Sequence, residues 1–334
     1  RLLSFDISFL MTITVFLLFV LGLALISCGA NALVTSTENI SRKYNISYFL
    51  SSFIFIGLAT SSPEIFISII SSLDGKSNIA IGNALGSNIA NIAFVFAISY
   101  LFLKKNILSV NRFIDRETYG FMIILIIISM LVFLILKDGM ISVNEAILLI
   151  TSFFILIFLY KKFFYENSNS YKKTNSEDSK SNTGVFANLI FGLLTLLVGT
   201  ELLLNSSIIV AKHYGISNYV IGLSITAIGS SIPELASSIE SARKKNIDFI
   251  IGNILGSNIF NFAIVISLAG LFTSELPKPL YITDLLRDII MILITMMGFY
   301  IIIKNHNYLF SKVLCTLLLG LFTMYQISLY GISL

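Results

Sequence analysis

The sequence predicts an all-α membrane protein: ten transmembrane helices, arranged as two inverted five-helix repeats, with helices 2 and 7 discontinuous. Three observations lead there. Hydrophobic residues make up 56% of the chain and charged residues 12%, with a mean hydropathy of +0.90; a soluble domain carries about twice that charge. Apolar runs long enough to cross a bilayer recur along the whole length. Finally, two stretches copy each other at an offset of 170 residues, as from Glu64 to Glu234. The first reads Ala-Thr-Ser-Ser-Pro-Glu at 59–64, then Gly-Asn-Ala-Leu-Gly-Ser-Asn-Ile-Ala-Asn at 82–91. The second reads Gly-Ser-Ser-Ile-Pro-Glu at 229–234, then Gly-Asn-Ile-Leu-Gly-Ser-Asn-Ile-Phe-Asn at 252–261.

Hydropathy and chain breakers set the spans in order at about 8–34, 47–73, 78–102, 119–137 and 141–163 in the first half. The second half gives 185–211, 217–242, 248–272, 284–304 and 309–330. Within helix 1, Leu25-Ile26-Ser27-Cys28 loosely resembles a lipoprotein cleavage site, but its apolar run is too long for a signal peptide. The stretch from Gly29 to Ser47 also keeps register with the second copy, since Gly199, Leu203, Ser206, Tyr214, Ile216 and Ser217 are identical to their partners. We therefore read helix 1 as a true span. Between helices 5 and 6, Glu166–Thr183 is polar, rich in Asn, Ser, Lys and Glu, and reads as a flexible linker. The chain thus divides into a first repeat (1–163, motif at 57–91), a cytoplasmic linker (164–184) and a second repeat (185–334, motif at 227–261).

An odd number of helices per half makes the second half enter the membrane in the opposite sense, the arrangement of many secondary transporters. Charge supports this. The loops after helices 1, 3, 5, 7 and 9 carry sixteen of the 22 Lys and Arg, from Arg42 and Lys43 to Lys304 and Lys312. The opposite side holds Arg1, Lys76, Lys137, Lys212, Lys278 and Arg287. The rich side is then cytoplasmic, and both termini are extracytoplasmic.

The chemistry lies in the repeated motif. Ser61 and Glu64 are three residues apart and share a helix face, while Pro63 removes a backbone donor and frees the carbonyls near Ala59 and Thr60. Freed carbonyls at membrane depth are tolerated beside protein or a polar cavity, where they can ligate cations. In the next helix Asn83, Ser87 and Asn91 stack at four-residue spacing beside a Gly82/Gly86 stripe. The second copy repeats this with Ser231, Pro233, Glu234, Asn253, Ser257, Asn261, Gly252 and Gly256. A fold that brings Glu64 to Glu234 makes an all-oxygen cage of charge −2, suited to a hard cation such as Ca²⁺. Soft metals are disfavoured for want of Cys and His ligands. Two close carboxylates require a cation or protons, which is the physical basis of exchange.

Other residues have plainer readings. The four glycines read as helix-packing positions, and Asn83, Asn88, Asn253 and Asn258 divide between packing and support of the site. Glu64 and Glu234 have no basic residue at membrane depth to pair with. Glu201, whose partner position is Asn31, reads as a pore-lining or hydrogen-bonded support residue; Asp74, Glu145 and Glu240 lie near helix ends. Cys28 and Cys315 read as small core residues, and His213 and His306 lack partners at metal-ligand spacing.

On these motifs the chain resembles the cation/calcium exchanger superfamily, in its prokaryotic sodium/calcium branch. Thr60-Ser61-Ser62-Pro63-Glu64, Ser230-Ser231-Ile232-Pro233-Glu234 and the two Gly-Asn blocks match that family's paired α-repeats, and the likeness extends over nearly the whole chain. The resemblance implies a central Ca²⁺ site from Glu64, Glu234 and the carbonyls of Thr60 and Ser230. It implies flanking Na⁺ sites from Ser61, Ser231, Ser87 and Ser257, with carbonyls of Gly57 and Ala227, and Asn91 and Asn261 completing the middle. It further implies that helices 1 and 6 slide across the bundle to switch access. Asn261, where potassium-dependent relatives carry Asp, favours potassium independence. The absence of an acidic residue within either Gly-Asn block favours Na⁺ over H⁺. Ala59 and Ser230 depart from the family's usual Gly and Thr without removing a ligand oxygen.

The expectation is a Na⁺/Ca²⁺ antiporter, electrogenic and extruding Ca²⁺ across a prokaryotic plasma membrane. The alternative is a Ca²⁺/H⁺ antiporter, and beyond it a passive cation channel. No enzyme is expected: there is no HExxH and no Ser–Lys pair. The expected partners are Ca²⁺, Na⁺ and the lipid bilayer, with no cofactor, no nucleic acid and a monomeric state compatible with the sequence.

Overall fold

A computed structural model describes residues 2–103, 116–163, 182–213, 227–272, 282–305 and 307–331, and all regular elements among them are helical. Helix α1 (Leu2–Tyr44) is followed by α2 (Tyr48–Thr60) and α3 (Ser62–Leu73), which meet at Ser61 with a bend of 41°. The first half continues with α4 (Ser77–Phe102), α5 (Arg116–Ile135) and α6 (Val143–Phe163). The second half holds α7 (Asn182–His213), α8 (Ala227–Ser230), α9 (Ile232–Arg243), α10 (Ile247–Leu271), α11 (Ile282–Lys304) and α12 (Tyr308–Gly331). Among the described residues eight helices are long and apolar enough to cross a membrane, and the bent α2–α3 pair makes a ninth. The expected span 217–242 begins in 214–226, outside the described residues, so α8 and α9 are what is seen of it.

Two boundaries differ from expectation for local reasons. α1 runs to Tyr44 rather than ending near 34, because its polar last turns are helical in their own right. Thr37 Oγ1 donates to Leu33 O (2.9 Å), Arg42 pairs with Glu38 at i,i+4 (2.6 Å), and Arg42 and Lys43 sit where the helix dipole favours cations. Asn45, with φ 51°, then ends it. α7 begins at Asn182, inside the expected linker, whose remaining residues 164–181 lie outside the described ones. The turns after α3 and α9 match: Gly75 (φ 72°) and Lys245 (φ 60°) take the left-handed conformation at the same offset.

The packing has two parts. α4 and α10 lie at the centre, in a large apolar core with Phe96, Phe121, Phe262 and Phe299 fully buried. α10 packs on α2, α5, α6 and α9, while α4 packs on α3, α9, α11 and α12. α1 and α7 form a second unit, lying against each other along their length and joined to α2 and α10 by a small cluster of Ile26, Leu33, Leu196, Ile56 and Phe249. Glycines let their backbones touch. A Cβ on Gly199 would lie 2.7 Å from Ile26 N and 2.9 Å from Gly22 O; one on Gly192 would lie 2.7 Å from Leu33 N. Such small-residue contacts supply close packing where lipid removes the hydrophobic drive between helices.

The glycines of the repeated motif behave unequally. Gly252 and Gly256 face the backbone of α2 at Phe49, Phe53 and Gly57, as packing positions do. Among the described residues nothing lies within 4 Å of a Cβ at Gly82 or Gly86. The segment that corresponds to the contacting part of α2 falls at 214–226, outside the described residues.

Gly199→Val is expected to force α7 off α1 and cost about 1–3 kcal/mol, the usual range for overpacking. Gly320→Val, where no atom of the described residues lies within 4 Å of a Cβ, is the control. Thermal unfolding of the purified protein in detergent measures both; equal melting temperatures would contradict the close approach.

Candidate functional site

Each copy of the motif builds the same local device. A proline opens the second helix, Pro63 in α3 and Pro233 in α9, and the residue before the Ser/Ile-Pro pair breaks the run. Ser61 sits at φ −78°, ψ 4° and Ser231 at φ −91°, ψ 6°, the bridge region rather than the helical one. The backbone ladder crosses the first break through Ser61 N to Gly57 O (3.2 Å) and Ile65 N to Ser61 O (3.2 Å). It crosses the second through Ser231 N to Ile228 O (3.1 Å) and Leu235 N to Ser231 O (3.1 Å). One sequence expectation needs correction here. The Ala59 carbonyl, orphaned by Pro63, is capped by Ser62 Oγ at 2.7 Å. Ile232 at the matched position has no hydroxyl to do the same.

The two devices are joined reciprocally. Ser87 Oγ of α4 donates to Glu64 Oε1 (3.2 Å) and lies 3.5 Å from Ser230 Oγ of the other copy. Ser257 Oγ of α10 donates to Glu234 Oε1 (3.4 Å) and lies 3.3 Å from Thr60 Oγ1 of the other copy. Ser257 Oγ also reaches Gly57 O at 3.3 Å. Each carboxylate is thus tied to its own repeat's following helix, and through that serine to the opposite repeat's break. The two carboxylates are within electrostatic reach of each other, and both are 0% exposed.

Several buried polar atoms in this region have no hydrogen-bond partner among the described residues: Glu64 Oε2, Glu234 Oε2, Ser61 Oγ, Ser231 Oγ, Asn91 Oδ1, and both amide atoms of Asn261. Leaving such a group unpaired costs about 1–3 kcal/mol, more for a charge. The ion pairs seen among the described residues lie at helix ends, Glu38 with Arg42, Asp74 with Lys76, Glu240 with Arg243 and the Arg287 cluster. None involves Glu64 or Glu234. Apart from the Asn261 amide nitrogen, the unpartnered atoms named here are oxygens, two of them carboxylate, with no sulfur or imidazole, and they fit a hard cation.

The sequence-predicted residues are therefore placed as follows. Hydrogen bonds gather Glu64, Ser87 and Ser230 into one chain, and Glu234, Ser257, Thr60 and Gly57 into the other. The side chains of Ser61, Ser231 and Asn261 are buried beside them without hydrogen-bond partners among the described residues. Asn91 Nδ2 donates to Asn258 Oδ1 (3.1 Å), so it bridges the copies rather than sitting free. Ala227 opens α8, and its side chain lies outside the described features. The sequence reading underrated Asn253, which bonds both to the Glu234 backbone and to Thr60. The available signal was a serine pair, Ser237 and Ser238, one side of which the first copy lacks, with Ile67 at the position of Ser237.

Outlying residues fall into place. Glu201 is exposed and accepts from Asn205 (2.8 Å). Cys315 is buried as expected, but Cys28 is exposed, because α1 turns that face to a polar pocket with Ser27, Asn31, Glu240, Arg243 and Lys244. Lys244 donates to Thr35 Oγ1 across it. The His213 side chain and the whole of His306 lie outside the described features.

Known proteins resemble the chain over most of its length. A family model described as sodium/calcium exchanger protein matches residues 14–161 and 184–331. The sodium/calcium exchanger MaX1 of Methanosarcina acetivorans is 30% identical over 305 residues, covering 77% of this chain and 83% of its own. The inner membrane protein YrbG of Escherichia coli K12 is 28% identical over 95% of this chain and 97% of its own. Among solved structures, the sodium-calcium exchanger NCX_Mj, soaked with 10 mM Na⁺ and no Ca²⁺, superposes with a TM-score of 0.75 at 28% identity, covering 95% of this chain and 99% of that one. With the family model matched across both halves, the chain belongs to the sodium/calcium exchanger protein family.

Proposed function

We propose that the chain is a secondary active antiporter that exchanges Na⁺ for Ca²⁺ across a prokaryotic plasma membrane by alternating access. The observation that carries this is the pair of fully buried carboxylates, one per copy, each tied to the opposite copy and each left with an unpartnered oxygen. Two bare anions in a low-dielectric interior are penalised, so the site favours reorientation only when loaded. That requirement couples the movement of one cation to that of the other. The matched exchanger NCX_Mj has been soaked with Na⁺, Ca²⁺ and Sr²⁺, which supports the same cations here.

Glu64 and Glu234, with the carbonyls of Thr60 and Ser230, are the proposed Ca²⁺ ligands. The hydroxyls of Ser61, Ser231, Ser87 and Ser257, with the Gly57 and Ala227 carbonyls, are the proposed Na⁺ ligands, and Asn91 and Asn261 line the middle. The architecture proposed around them is ten spans in two inverted five-helix repeats, 1–163 and 185–334, joined by a cytoplasmic linker at 164–184, with both termini outside. The matched breaks at Ser61 and Ser231 and the one-sided Lys and Arg distribution support it. The α1–α7 pair, held to the bundle by its own small cluster, is the unit proposed to slide.

In proteoliposomes loaded with Na⁺, uptake of ⁴⁵Ca²⁺ is expected only while internal Na⁺ is present, and not with internal K⁺. Glu64→Gln or Glu234→Gln is expected to reduce it to background. Uptake driven by a pH gradient alone would assign the protein to Ca²⁺/H⁺ exchange instead, and flux with no counter-ion would make it a channel.

Exchange of three Na⁺ for one Ca²⁺ moves one net charge, worth roughly 2.3 kcal/mol per 100 mV. An inside-positive potential of 100 mV, set with K⁺ and valinomycin, is therefore expected to raise the equilibrium Ca²⁺ accumulation in Na⁺-loaded vesicles about 50-fold. An accumulation that ignores the potential would show electroneutral exchange.

A further inference from the structure

A pocket of about 500 Å³ lies between α1 and the end of α9, lined by Ser27, Cys28 and Asn31 on one side and Glu240, Arg243 and Lys244 on the other. Lys244, which caps the C-terminal end of α9, is half-buried and donates from Nζ to Thr35 Oγ1 of α1. An ammonium only donates, and the Thr35 hydroxyl turns its own hydrogen to Asn31, at O (2.7 Å) or Oδ1 (3.2 Å). The direction of the bond between the helices is therefore fixed. Glu38 and Glu240, each paired with an arginine, lie within electrostatic reach of the ammonium. Thr35 stands two turns beyond Cys28 along α1, about 10 Å at the rise of a helix. The bond thus crosses the rim of the pocket on the side of Arg42, Lys43 and Lys245, the basic face proposed as cytoplasmic, and Cys28 lies behind it.

The other half has no counterpart to this contact. At the 170-residue offset Thr35 maps to Asn205 and Lys244 to Asp74. Asn205 donates along its own helix to Glu201 (2.8 Å), and Asp74 is exposed beside Lys76 (4.0 Å). α1 packs on α9, whereas α7 makes no comparable contact with α3 among the described residues. Only one end of the pseudo-symmetric molecule is tied in this way. A bond present in one arrangement of two helices, and broken when either shifts by a turn, biases the population toward that arrangement.

We infer that Lys244 and Thr35 form a latch that holds α1 against the end of α9 and closes the cytoplasmic rim of this pocket. Neither residue is among the proposed ion ligands. The latch acts on the equilibrium between arrangements of α1, and the chemistry of the ion site is untouched by it. The inference rests on the antiporter reading, in which α1 moves against the bundle, and adds what holds α1 at one end of its travel.

Cys28 reports on the rim directly, because Cys315, the other cysteine of the chain, is buried. The test measures how fast a membrane-impermeant methanethiosulfonate reagent modifies Cys28 in inside-out vesicles holding the full chain, with Cys28→Ser as background. Lys244→Gln and Thr35→Val are each expected to raise that rate about fivefold, the size of one hydrogen bond. The double variant is expected to raise it no further, because the two act as one unit. Lys244→Arg keeps a cationic donor and Thr35→Ser keeps the acceptor, so both are expected to stay near the native rate. The Ca²⁺ concentration that half-saturates exchange from that face is expected to fall about fivefold in Lys244→Gln, since less of the protein is held in the latched arrangement. A rise in Lys244→Gln that Thr35→Val does not share would be an effect of charge on the reagent and would overturn the latch. Additive effects, or unchanged rates in both variants, would overturn it equally while leaving antiport intact. Loss of Na⁺-dependent Ca²⁺ exchange in the unaltered protein would instead overturn the antiport reading itself.

Discussion

The structure depends on two carboxylates, Glu64 and Glu234, that are wholly buried in a membrane protein and have no basic partner among the described residues. A lone carboxylate in such surroundings is expensive, and two within reach of each other are more so. What surrounds them follows from that cost. The prolines break the helices beside them, the serines and threonine supply hydroxyls, and the central helices α4 and α10 exclude water with large buried aromatic and aliphatic side chains. In the same motif, Ser61 Oγ, Ser231 Oγ, Asn91 Oδ1 and the Asn261 amide are buried without a partner among the described residues.

The reciprocal bonding explains why the motif occurs twice. Ser87 serves the first carboxylate and meets Ser230, while Ser257 serves the second and meets Thr60. Neither copy completes a cage alone. The α1–α7 pair is bound to itself by glycine contacts and packs on the rest of the bundle through α9 and through the small cluster on α2 and α10.

Much of this was legible in the sequence because membrane depth makes a polar residue informative. Apolar runs marked the membrane-length helices seen among the described residues, and the repeated acidic motif marked the two buried carboxylates. The end of α1 was not legible, since Thr37, Glu38 and Arg42 are polar yet support a helix by local bonds that hydropathy does not register. The exposure of Cys28 was missed because an apolar run does not reveal which face meets a polar pocket. The capping of Ala59 by Ser62 and the clamp on Asn253 depend on single hydroxyls, at positions where the two copies differ by Ser against Ile. The copies looked equivalent in sequence, and those hydroxyls make them unequal.

The central claim is that both copies build one shared Ca²⁺ site. Calcium titration calorimetry of the purified protein without Na⁺ tests it most directly, comparing the native chain with Glu64→Gln, Glu234→Gln and the double variant. The account predicts one central Ca²⁺ per chain, lost in either single variant, with the double variant no worse than the singles. Retention of Ca²⁺ binding with unchanged affinity in one single variant would contradict it, because each carboxylate would then serve a site of its own.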